Sequence, residues 1–112
     1  MAIPVLLTLF TLGLGGGVQA QVVERGRLFF NSQHGDTWSC ATCHGTPPVG
    51  QGKHATTGKS IEPLAPAFNP KRLTDAAKVE KWFRRNCKDV LNRECSAAEK
   101  ADVLAYLQSL KP

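Results

Sequence analysis

The tightest constraint in this sequence is five residues long: Cys40-Ala41-Thr42-Cys43-His44. Two thiols three positions apart, followed at once by an imidazole, suit a planar macrocycle. Each thiol adds to one vinyl group of haem, and the adjacent imidazole reaches the iron from the same side. The spacing therefore predicts one covalent haem c, with Cys40 and Cys43 as thioether anchors and His44 as proximal ligand. Competing uses of the motif are weaker. A zinc site needs a second close ligand pair, but the remaining cysteines, Cys87 and Cys95, do not form another Cys-x-x-Cys. A thioredoxin-like redox pair needs a βαβ setting that the sequence lacks. A structural disulfide between Cys40 and Cys43 leaves His44 without a role.

A haem also answers a shortage of core. The first twenty of the 112 residues read as a secretory leader: an apolar run from Ile3 to Leu14, a Gly15-Gly16-Gly17 break, then the small-residue site Val18-Gln19-Ala20. The run is shorter than the roughly 20 apolar residues that a membrane span requires, so cleavage is expected rather than anchoring, with no stable membrane insertion afterwards. The division is then 1–20 leader and 21–112 a single domain, too small to bury a large apolar core with side chains alone. Export would place a chain of this kind in an oxidising compartment, and the periplasm is the expected location. The net charge of +5 falls wholly on the domain, because residues 1–20 carry no charged side chain. A basic surface steers a protein toward acidic partners. No dense basic run with interleaved aromatics occurs, so no nucleic-acid partner is expected.

Along the domain the periodicity is helical. Val22, Val23, Gly26, Phe29 and Phe30 predict a helix from Gln21 to about Ser32, with Gly26 allowing another helix to approach. Five prolines and four glycines between Gly45 and Leu73 rule out a long regular element there. A loop of that length in a compact domain is expected to wrap something. Thr74 is a plausible N-cap for a second helix, with Asp75 in its first turn, and Val79, Trp82, Phe83, Asn86 and Val90 share one face. The last helix opens with a capping box, Ser96 to Glu99, and runs through Val103, Tyr106, Leu107 and Leu110 to a stop at Lys111-Pro112. No β pattern and no repeat is visible, so the expected class is all-α. Trp82 and Tyr106 read as haem-packing or core aromatics.

An electron-transfer cytochrome c ordinarily sets a Met thioether opposite the proximal His. The single methionine here is Met1, which leaves His34, His54, a lysine, Asn86 or no residue. Asn86 is the one amide on an otherwise apolar face and needs a partner there. Spacing leaves two partners open: the haem iron, or backbone carbonyls and a propionate. His34 and His54 lie in polar, glycine-containing stretches typical of exposed loops, with His54 the better ligand of the two because it belongs to the long loop.

Three stretches beyond the haem motif carry a resemblance. Thr57-Gly58-Lys59-Ser60-Ile61-Glu62-Pro63-Leu64-Ala65-Pro66, then Val79-Glu80-Lys81-Trp82-Phe83-Arg84-Arg85-Asn86-Cys87, then Cys95 with Glu99-Lys100-Ala101-Asp102 resemble the sphaeroides haem protein (SHP) family, from about Gly26 to Leu107. These are bacterial class I cytochromes c that bind oxygen. The resemblance implies the class I fold: N- and C-terminal helices packed around one covalent haem with a long Pro/Gly-rich loop. It implies Asn86 as the distal ligand, since the family's asparagine precedes the first disulfide cysteine. The related cytochrome c″ has histidine there, and Asn86 sets this chain on the SHP side. It implies a Cys87–Cys95 disulfide, which suits an oxidising compartment, and a dihaem cytochrome c as electron donor.

A carboxamide oxygen is a neutral, hard donor, adequate for ferric iron and poor for ferrous iron. The expected function is therefore electron transfer combined with redox-dependent binding of O2 or NO, with CO as a test ligand, after Asn86 leaves. Two alternatives are a plain electron carrier with a permanent His54 ligand, and a small-molecule reductase or oxygenase. No acid–base constellation supports an enzyme.

Overall fold

The computed structural model describes residues 2–4, 15–35 and 37–112. Most of the apolar run assigned to the leader lies outside the described residues. Helix α1 spans Gly15–Asn31, α2 Cys40–His44, α3 Ala76–Leu91 and α4 Ala97–Ser109, with strands β1 (Gly52–Lys53) and β2 (Ser60–Ile61) between α2 and α3. Among the described residues no helix is long and apolar enough to cross a membrane.

The core is the crossing of α1 and α4. Phe30 of α1 and Val103, Tyr106 and Leu107 of α4 are buried together, and the rings of Phe30 and Tyr106 meet at 5.6 Å with a 56° tilt, a favoured geometry for an aromatic pair. Gly26 makes the crossing possible: a Cβ there would lie 2.0 Å from the Asp102 carbonyl oxygen and 2.8 Å from the Tyr106 Cβ. Beside that contact Arg25 donates from Nε and Nη2 to the Asp102 carboxylate, both at 3.2 Å. Helix α1 begins at Gly15, six residues before the start its apolar pattern gives, so it includes the three glycines that read as a break in the sequence.

Helix α4 starts as expected, with Ser96 Oγ accepting from Glu99 N and Glu99 Oε1 accepting from Ser96 N. Helix α3 is capped one residue later than the sequence suggests. Asp75, not Thr74, is the N-cap, its Oδ1 accepting from Ala77 N at 3.0 Å and Lys78 N at 3.2 Å. The Thr74 hydroxyl instead donates to the Lys71 carbonyl at 2.8 Å. Asp is as good a cap as Thr and here carries a charge favoured at a helix N-terminus.

The long loop contains the strands that the sequence hid. Gly52 pairs with Ile61 and Lys53 with Ser60, antiparallel. Two residues per strand are too few for alternation to register as a pattern. The turn is closed by His54 N to Lys59 O and Gly58 N to His54 O, at 2.8 and 2.9 Å, with Gly58 at φ 70. Helix α3 reaches the α1–α4 core through Phe83, and a cleft lined by α3 and the other elements opens beside that contact.

Candidate functional site

The cleft holds about 740 Å³ and is lined from every part of the domain: Phe30 of α1, Cys40, Cys43 and His44 of α2, His54, Ile61 and Leu64 of the loop, Val79, Trp82, Phe83 and Asn86 of α3, and Val103 and Leu107 of α4. This volume is within the usual range for a small-molecule or cofactor pocket, about 300–1,000 Å³. The long loop therefore wraps a space.

Helix α2 is five residues long and would not persist alone. A capping box fixes it: Ser39 Oγ accepts from Thr42 N at 3.1 Å, and Thr42 Oγ1 accepts from Ser39 N at 2.9 Å. Gly45, at φ 90, ends the turn. On the other side β1 presses its backbone against the helix, since a Cβ on Gly52 would lie 2.1 Å from the Cys43 carbonyl oxygen. Neither Ser39 with Thr42 nor Gly52 stood out in the sequence. The first pair is visible afterwards as Ser-x-x-Thr before the motif, but Gly52 is one of several loop glycines with nothing to mark it.

Cys40 and Cys43 are both free thiols. Burial pushes the Cys40 thiol up to about 11, so it stays protonated at neutral pH. Burial first, and the nearby Arg72 charge second, hold the His44 imidazole down at about 4. The ring is therefore neutral with a lone pair to give, the state that metal ligation requires. Its Nδ1 is buried and has no hydrogen-bond partner among the described residues. Phe30, 6.2 Å away between centroids, ties the ring to the α1–α4 core.

Asn86 lines the same cleft from α3, and among the described residues its side-chain amide makes no hydrogen bond. The next residue, Cys87, is bonded to Cys95 with a Cα–Cα distance of 5.7 Å. That bond ties the C-terminal half of α3 to the residue before the Ser96 cap. His54 also lines the cleft, but its Nδ1 accepts the backbone N–H groups of Thr56 at 3.2 Å and Thr57 at 3.1 Å. The ring proton therefore sits on Nε2. His34 is elsewhere: its Nε2 bonds the Phe29 carbonyl at 2.8 Å and its ring stacks on Phe29. Tyr106 belongs to the core, whereas Trp82 is 46% exposed at the cleft with Lys81 and Arg85 over its ring.

The donor set fits a haem c. A neutral imidazole follows two thiols on one short helix, the cleft they enter is of pocket size, and the apolar side chains Val79, Trp82 and Phe83 of α3 line it as well.

Comparison with known proteins agrees. A family model described as a domain of unknown function, DUF1924, matches residues 17–107. The cytochrome c-type protein SHP of Cereibacter sphaeroides is 53% identical over 88 residues, covering 75% of this chain and 67% of that protein. Cytochrome c″ of Methylophilus methylotrophus is 44% identical over 93 residues, covering 80% and 65%. The chain thus matches about two thirds of the length of each. The structure of oxidised SHP, described as an oxygen-binding cytochrome c, superposes with a TM-score of 0.72 at 43% identity, covering 82% of this chain and 96% of that one. For oxidised cytochrome c″ the values are 0.71, 42%, 80% and 76%. The chain belongs to the family of c-type cytochromes that contains SHP and cytochrome c″, with their helical cytochrome fold and covalently attached haem c.

Proposed function

We propose that this chain is a periplasmic monohaem cytochrome that transfers electrons and, when reduced, binds a diatomic gas such as O2 or NO at a position vacated by Asn86. Cys40 and Cys43 hold the haem through thioethers, and His44 is its proximal ligand. The observation that carries the reading is the placement in one cleft of the His44 imidazole on α2, with its buried unpaired nitrogen, and the Asn86 carboxamide on α3.

When bound, the haem supplies a reversible one-electron couple and a coordination position for a small gas. His44 contributes a neutral nitrogen on a helix locked by its cap and by Gly52. Asn86 contributes a hard, neutral oxygen suited to the ferric state and poorly suited to the ferrous state, so it lets go on reduction. Once free, its NH2 group is a hydrogen-bond donor for a gas in the cleft. The Cys87–Cys95 bond limits how far the backbone beside Asn86 can travel. SHP, the oxygen-binding relative, supports the gas chemistry.

A permanent His54 ligand fits less well. Its Nδ1 is taken by two backbone donors, so ligation through Nε2 would require loss of a ring proton or surrender of both bonds. Residues 1–20 act as the export leader, and an acidic electron-donor cytochrome, such as a dihaem cytochrome c, docks on the basic surface. Electron transfer from that donor slows as ionic strength rises.

The test is ultraviolet-visible and EPR spectroscopy of ferric and ferrous protein, wild type beside Asn86→Ala and His54→Ala. Asn86→Ala should change the ferric spectrum, His54→Ala should not, and CO added to reduced wild type should give a carbonyl spectrum within the mixing time. A reduced protein that stays six-coordinate and refuses CO would sink the gas-binding reading and leave an electron carrier.

A further inference from the structure

Six cationic side chains line the cleft: Lys59, Lys71, Arg72, Lys78, Arg85 and Lys88. Five are exposed, and Arg72 alone is half-buried. Its guanidinium is fixed by Nε donating to the Pro63 carbonyl at 3.1 Å and Nη2 donating to the Glu62 carbonyl at 3.0 Å. Both acceptors are neutral. The carboxylate of Glu62, whose own carbonyl holds the guanidinium, accepts from Asn69 Nδ2 at 3.3 Å instead. Every ion pair among the described residues involves other cations. The backbone holds the side chain from below as well: Arg72 N donates to Asn69 O at 3.0 Å, and Leu73 follows in the left-handed region at φ 60. Arg72 is therefore an unpaired, immobilised charge that lines the same cleft as His44.

We infer that Arg72 sets the reduction potential of the haem held by His44, favouring the ferrous form. The inference rests on the haem assignment made above. An oxidised centre carries one more positive charge than a reduced one, so a fixed cation nearby opposes oxidation. Solvent and salt screen the five exposed cations, whereas a partly buried charge keeps most of its field. A guanidinium held by carbonyls also spends its hydrogen bonds without losing its charge, an arrangement Lys cannot copy in geometry but can copy in charge. The consequence reaches Asn86, because the state that releases it becomes easier to populate.

The test is a spectroelectrochemical titration of wild type, Arg72→Gln, Arg72→Lys and Lys71→Gln, with covalent haem per chain measured in each by the pyridine haemochromogen assay. At a fixed ambient potential the ferrous-to-ferric ratio should fall about tenfold in Arg72→Gln, which for one electron is about 59 mV. It should change less than about twofold in Arg72→Lys and in the exposed control Lys71→Gln. Arg72→Met, of similar length and uncharged, should match Arg72→Gln, and it provides the reading if Arg72→Gln does not accumulate. A charge-removing variant within twofold of wild type, or a Lys variant that falls as far as Gln, would reduce Arg72 to a loop anchor. Wild type without covalent haem would instead overturn the haem assignment and this inference with it, a result the haem assay reports separately.

Discussion

Replacing Gly26 by alanine tests the crossing that carries the whole domain. The added Cβ would sit 2.0 Å from the Asp102 carbonyl oxygen, 2.6 Å from its carbon and 2.8 Å from the Tyr106 Cβ. Two of these neighbours are backbone, so no rotamer change relieves them, and α1 and α4 must separate by roughly 1 Å to restore ordinary contact. That movement loosens Phe30 against Tyr106 and Leu107, the centre of the core. Overpacking of this kind costs about 3 kcal/mol, the upper part of its usual range. Alanine returns about 1 kcal/mol through its better helix propensity. The net loss is about 2 kcal/mol, which in a domain of this size lowers the thermal midpoint by roughly 8–16 °C. Urea unfolding of the ferric protein measures it directly, with the midpoint shifted and the slope unchanged. Gly50→Ala is the control, since a Cβ there meets nothing within 4 Å, and it should stay within about 0.5 kcal/mol of wild type. If Gly26→Ala proved as stable as the control, the close approach of α1 and α4 would not be the feature that holds the domain.

Ser96→Ala removes the N-cap of α4 and should cost about 1 kcal/mol in the same urea assay. Glu99, the other half of that box, is held down to about 2 chiefly by its hydrogen bonds from Arg93. A carboxylate whose pKa is depressed on folding stabilises above its ordinary value of 4.5 and loses that contribution as pH falls toward about 2. Wild type should therefore destabilise between these limits more steeply than Glu99→Gln; parallel curves would remove Glu99 from the acid transition. Breaking the Cys87–Cys95 bond by a double alanine substitution opens a loop of eight-residue separation, and chain entropy sets the loss at about 2.5 kcal/mol. A loss below about 1 kcal/mol, read from the same denaturation curve, would mean that the bond constrains little of the unfolded chain.

The parts of this architecture legible in the sequence are those dictated by local chemistry. The capping box at Ser96, the apolar stripe of α4 and the small residue at Gly26 each follow from one stretch of chain. The faults arise where two segments compete or meet. Thr74 and Asp75 are both good caps, and the Lys71 carbonyl, three residues back in the chain, takes the Thr74 hydroxyl and leaves the role to Asp75. The β1–β2 pair is too short to alternate, and its placement depends on Gly52 lying against Cys43, a contact between segments that neither announces alone. Arg72 escaped for the same reason: a single cation in a basic sequence becomes distinctive only when Glu62 and Pro63 are seen to hold it.

Helix α3 shows what the apolar pattern of a sequence leaves undefined. Val79, Phe83 and Val90 mark a face to be covered, yet within the protein much of that face meets a cleft, with Phe83 only partly buried against the α1–α4 core and the helix burying fully only Cys87 and Val90. Its fixed points are the partly buried Phe83 against the α1–α4 core, the disulfide, and the Lys100 Nζ contact to Glu80 Oε2 at 2.9 Å, the last an exposed pair contributing no more than about 1 kcal/mol. A sixteen-residue helix with so little tertiary support is marginal in water. Its order is expected to depend on whatever fills the cleft, and removing the proposed haem anchors by Cys40→Ala with Cys43→Ala should uncouple it from the rest. Amide hydrogen exchange reads this residue by residue: Val79 to Val90 should lose most of their protection, while Phe30 on α1 and Val103 and Leu107 on α4 keep a measurable part of theirs, because their partners are each other. Equal loss across α1, α3 and α4 would mean that the α1–α4 core does not stand without the haem. Equal retention would mean that α3 is held by the protein and not by its cofactor.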